Sequence, residues 1–159
     1  MAGTDKQEFP NLLAPGFHPM PLNRVRELCV SAFPSSKRRP LIMDGLERVT
    51  AEIVRHDIVS KIWIDGSFLT EKIEPDDVDV VVEIELTFRQ QATQKQKDVI
   101  NWILSDLKPS HYCHSFLLEV YPSGHPKAHL NKQNRDDWMH VFGFSRQGQP
   151  KGIAVVQTP

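Results

Sequence analysis

The stretch Ile64-Asp65-Gly66-Ser67, followed nine residues later by Asp77-Val78-Asp79-Val80, decides how this chain reads. A strand running to Gly66 ends on a residue without a side chain, where a phosphate can come close to the backbone. Ser67 adds a hydroxyl at the same place. On the next strand Asp77 and Asp79 stand two apart, so the period of two sets both carboxylates on one face, with Val78 and Val80 turned into the core. Two carboxylates this close repel unless a cation sits between them. Oxygen ligands suit Mg²⁺ or Mn²⁺, which also bridge the phosphates of a nucleoside triphosphate. Two-metal phosphoryl transfer needs a third carboxylate. Glu119, centred in Phe116-Leu117-Leu118-Glu119-Val120, is the candidate. It qualifies only if strand 115–121 lies beside the Asp77–Asp79 strand with Glu119 on the aspartates' face.

The flanking sequence supplies the frame. Strands are expected at 59–66, 78–86 and 115–122 from β-branched alternation. Ile42, Leu46, Val49 and Ile53 make one apolar stripe on a helix over 40–56, and Gly45 within it marks close packing. Leu22, Val25, Leu28 and Cys29 recur at helical spacing, and Val99, Ile100, Ile103, Leu104 and Leu107 imply another helix over 91–107. Residues 1–21 hold Pro10, Pro15, Pro19 and Pro21 and read as an extended arm, packed on the body through Phe9, Leu12, Leu13 and Phe17. The remainder, 22–159, reads as one domain. The polar stretch 122–137 reads as a loop, and 138–144 with 151–156 as a C-terminal β-hairpin turning at Gln147-Gly148. The expected fold is therefore α+β, a mixed sheet with helices packed on it.

With 159 residues, 40% hydrophobic and 25% charged, the chain has the size and composition of one globular domain. A net charge of -1 argues against a broad nucleic-acid-binding surface. No apolar run approaches a membrane span, and the N-terminus has no signal-peptide pattern, so a cytoplasmic protein without a membrane partner is expected. Cys29 and Cys113 read as reduced, buried thiols. His111, His114, His125 and His129 do not form a zinc set by spacing. Glu83 and Glu85 are expected to be solvated or salt-bridged, and Lys37-Arg38-Arg39 to be a solvated helix start. Lys151 has two readings, reaching phosphates or capping the hairpin.

The Gly66-Ser67 and Asp77-Val78-Asp79 pair, with Glu119 beyond it, resembles the signature of the polymerase-β-like nucleotidyltransferase superfamily. Three further stretches are similar to a group of small bacterial nucleotidyltransferase-like proteins within it: Leu13-Ala14-Pro15-Gly16-Phe17-His18, Asp65 to Lys72, and Gly148 to Ile153. The resemblance implies the nucleotidyltransferase fold and an Mg²⁺- or Mn²⁺-dependent enzyme. Such an enzyme would move a nucleoside monophosphate from an NTP to a hydroxyl on a protein, an RNA or a small molecule. It assigns metals to Asp77 and Asp79, the triphosphate to Gly66 and Ser67, and phosphate charge to Lys72. Glu119 would bind metal or help to deprotonate the acceptor. It also suggests a partner protein encoded nearby, in a toxin–antitoxin or phage-defence pair. Two departures stand out: no second glycine follows Gly66-Ser67, and the chain lacks the helical domain that many relatives use to grip base or acceptor. They support the alternative, an inactive nucleotide-binding or partner-binding module.

Overall fold

The computed structural model describes residues 8–142 and 148–158. In chain order the elements are β1 (Gly16–Pro19), α1 (Leu22–Arg26) running into a π-helical turn (Glu27–Ser31), α2 (Arg38–Arg55), β2 (Lys61–Asp65) and a 3₁₀ turn (Ser67–Leu69). Then come β3 (Val78–Glu85), α3 (Leu86–Gln91), α4 (Gln94–Ile103), α5 (Lys108–His111), β4 (Cys113–Val120), α6 (Leu130–Phe142) and β5 (Gly152–Gln157). The fold is α+β, and its five-stranded sheet runs β1-β5-β2-β3-β4. β2 is antiparallel to β3 and β5, whereas β1 pairs parallel with β5 and β4 parallel with β3. The sheet is therefore mixed.

Alternation divides the two sheet faces. Ile62 and Ile64 of β2, and Val78, Val80, Val82 and Ile84 of β3, point to one side and join Ile42, Leu46, Val49 and Ile53 of α2 and Val99, Ile100 and Ile103 of α4 in the main core. Trp63, Val81, Phe116, Leu118 and Ile153 point to the other, where Trp138, Met139 and Phe142 of α6 cover them. Gly45 earns its place by contact: a Cβ there would stand 1.9 Å from the carbonyl oxygen of His111 in α5. Cys29 and Cys113 are both free and buried, and burial pushes each thiol up to about 12.

Three expectations need correction. Residues 130–142 form a helix, so 138–142 are not a hairpin strand and the polar loop ends early. The helix holds because Trp138 and Phe142, one turn apart, both pack on Phe116, while Lys132–Asp136 and Gln133–Asp137 pair along its outer side. The remainder of that expected strand and most of its turn, 143–147, lie outside the described residues. The helix expected over 91–107 is shorter, Gln94–Ile103, because Thr93 and Gln96 form a capping box that starts it and residue 91 closes the preceding α3. The arm contributes more than packing: residues 16–19 are the sheet's edge strand, bonded to β5. Residues 1–7 of the arm lie outside the described residues.

Arg39 departs furthest from its expected role. Its guanidinium is fully buried. It donates to the carbonyls of Cys29, Phe68, Thr70 and Lys72, and lies 3.8 Å over the Phe33 ring. Arg38 donates to the Pro75 carbonyl. The basic run thus fastens the 66–76 loop to the start of α2.

Candidate functional site

Register brings three strands to one place. Asp65 of β2 pairs across from Asp79 of β3, which pairs across from His114 of β4. Partners in register share a face, so these side chains form a transverse row at one end of the sheet, on the α6 side. Asp77, two residues before Asp79, joins them. Ligand atoms of Asp77, Asp79 and His114 all lie within 4.8 Å of one another. Asp79 Oδ1 and His114 Nδ1 are 3.6 Å apart. That is too long for a hydrogen bond, but two donors about 2.1 Å from one ion at 90–120° stand roughly 3.0–3.6 Å apart. Asp77, Asp79 and His114 are therefore a set that could hold a metal ion.

Gly66 is matched to this row. Its φ of 91° is a conformation that side chains rarely adopt, and a Cβ there would lie 2.8 Å from Asp79 Oδ2. The bare turn and the carboxylate occupy neighbouring space. Ser67 follows directly, and its hydroxyl makes no hydrogen bond among the described residues; its carbonyl receives both the N–H and the hydroxyl of Thr70. The Lys72 carbonyl is held by Arg39, while its ammonium enters no ion pair among the described residues.

Two lysines flank the carboxylates. Lys108 Nζ lies 3.3 Å from Asp77 Oδ2 and Lys151 Nζ 3.2 Å from Asp65 Oδ1. Lys151 therefore faces the site and caps no hairpin. Asp65 is 3% exposed, and burial pushes its carboxyl up to about 6 against the pull of Lys151. Burial, then the charge of Asp77, raises Asp79 as well. These shifts mark carboxylates whose burial the two lysines do not offset.

Glu119 is elsewhere. It pairs in register with Ile84, five residues beyond Asp79, about 16 Å along the strand. Ile84 belongs to the main-core face, so Glu119 points to the side opposite both aspartates, where it is bonded to Arg89 of α3. The three-carboxylate arrangement is therefore wrong, and the two-metal catalytic scheme that depended on it falls with it. Glu83 shares the aspartates' face but is bonded to Arg135 of α6 and to the Trp63 indole. The residues missed were Asp65, Lys108 and, as a member of this site, His114. The sequence signal for His114 was its start-of-strand position, mirroring Asp79.

The model of a protein family matches residues 6–157. The chain belongs to DUF6932, a family of unknown function. No curated protein and no solved structure matches it. The family description adds no activity, so the reading of the site rests on its geometry. No helix among the described residues is long and apolar enough to cross a membrane.

Proposed function

We propose that this chain has a nucleotidyltransferase fold and transfers a nucleoside monophosphate from an NTP to a hydroxyl, using a divalent cation held by Asp77, Asp79 and His114. The observation that carries this reading is the close approach of the bare Gly66 turn to Asp79, beside carboxylate and imidazole atoms of Asp77, Asp79 and His114 within 4.8 Å of one another. When bound, the cation neutralises phosphate oxygens and makes the α-phosphorus more electrophilic. Ser67 donates to the β- and γ-phosphates, and Lys151, freed from Asp65 by the competing charge, steadies them. The acceptor oxygen forms a bond to the α-phosphorus while the bond to pyrophosphate breaks, and the acceptor's proton goes to water. Arg39 keeps the phosphate loop in one shape, so little ordering accompanies binding.

Thermal melting tests this reading. At a hundredfold excess over Kd, Mn²⁺ with NTP should stabilise the wild type by about 2.7 kcal/mol. The double variant Asp77→Asn, Asp79→Asn should fold, show no such shift and transfer no label. Calorimetry that detects no NTP binding at millimolar Mg²⁺ or Mn²⁺ removes the reading. A second reading, nucleotide binding without turnover, draws support from Glu119, whose absence from the site leaves a single-ion set. Wild-type protein that binds NTP yet labels no acceptor, even beside the product of a neighbouring gene, decides for it.

A further inference from the structure

The site continues sideways into a groove. His114 belongs both to the cluster with Asp77 and Asp79 and to the wall of a groove of about 490 Å³, which passes Phe116 and Leu117 along β4 and is flanked by Leu104 and Trp138. β4 is the last strand of the sheet, and no strand pairs with its outer edge among the described residues. Serine and aspartate line the groove too, but no lysine or arginine does.

In-line displacement fixes which substrate this groove serves. The leaving pyrophosphate belongs at Gly66-Ser67, on the β2 side of the aspartates. The attacking oxygen must approach from the opposite side, which is the β4 side. The chemistry of the walls then selects among acceptors. An RNA strand needs cations along its phosphates, and here it would meet Asp106 and apolar rings instead. An extended polypeptide finds what it needs: an edge of β4 that no strand pairs with among the described residues, and apolar walls for alternate side chains.

Resting on the nucleotidyl-transfer reading above, we infer that the acceptor is a protein segment, bound as an added strand along the outer edge of β4, with a serine, threonine or tyrosine hydroxyl delivered beside His114. The oxygen–phosphorus bond forms on that side chain as pyrophosphate leaves, and the hydroxyl proton passes to water at the groove's open mouth.

The test offers the wild-type protein, with Mn²⁺ and each of the four α-labelled NTPs, two kinds of probe. One is a set of degenerate peptide pools with a fixed serine, threonine or tyrosine between alternating valines. The other is a short single-stranded RNA with a free 3′ hydroxyl. Label should enter a peptide pool and not the RNA. Leu104→Glu, at a half-exposed position that the fold tolerates, should raise the peptide KM at least about tenfold while the NTP Kd stays unchanged. Label on RNA and none on peptide overturns the inference. So does NTP binding, shown by calorimetry, with no label on either probe. A loss of NTP binding itself is a different result and strikes the proposed function instead.

Discussion

The two faces of the sheet are built from alternate residues of the same strands, yet they do different work. On one face β3 offers Val78, Val80, Val82 and Ile84, all buried under α2 and α4. On the other it offers Asp79, Val81 and Glu83, beneath α6 and beside the ligand cluster. On the first face β3 contributes packing alone, and none of its four side chains there can titrate. The mixed face gives hydrophobic area over to charge, and among the described residues one helix, α6, covers it. A period of two lets one eight-residue strand serve both ends at once.

The largest test of that contrast is Arg39→Met, on the loop-anchoring side of the core. It leaves four buried carbonyls without their donor and should lower stability by roughly 3–5 kcal/mol in urea denaturation. Trp138→Leu, on the mixed face, should cost only about 1 kcal/mol. Equal losses would break the distinction.

The mixed face should also set a pH dependence. The Asp65 carboxyl is raised from 3.8 to about 6, so the folded chain keeps a proton that the unfolded chain has released. This contribution to stability is full below about pH 4 and is lost as the pH rises through about 6. Two pH units correspond to about 3 kcal/mol. Stability of metal-free protein should fall across that window, and Asp65→Asn should flatten the slope. A slope unchanged by Asp65→Asn would locate the titration elsewhere.

Smaller effects sharpen the site itself. With a nitrogen donor in the set, Mn²⁺ should bind more tightly than Mg²⁺, and His114→Asp should reduce that preference about tenfold in calorimetry. Identical ratios before and after would remove His114 from the ligands. Glu119→Gln should change least, about 0–1 kcal/mol of stability from a part-exposed pair with Arg89, and no loss of nucleotide binding. Nucleotide binding that disappears with Glu119 would show that its pair with Arg89 supports the site from the opposite face.

What could be read in the sequence follows the range of the physics. Gly66-Ser67 and Asp77-Val78-Asp79 are local patterns, and strand parity alone placed both aspartates together. The apolar stripe of α2 and the close approach at Gly45 were legible for the same reason. Glu119 was not, because its face depends on the register of β4 against β3, and a shift of one residue reverses it. His114 gains its place only through that register. Asp65 stood in the motif without a role of its own, because its surroundings are set by its pairing with Asp79 and by the approach of Lys151 from the far end of the chain. Residues 138–142 contain both an alternating and an i,i+4 pattern, and the exposed aromatic surface of Phe116 selects the helix.

Gly45 shows how far from the chemistry the site is set. The missing side chain lets α2 press against His111, the last residue of α5, and α5 carries Lys108 to Asp77 and leads directly into β4. The spacing between Asp79 and His114 is thus gauged from beneath, against the bare backbone of a core helix, much as a machined part is aligned to a reference surface. One added methyl at that surface displaces α5, and with it both the lysine and the strand that carries the imidazole. Gly45 thus sets the spacing of Asp79 and His114 from a position that touches neither.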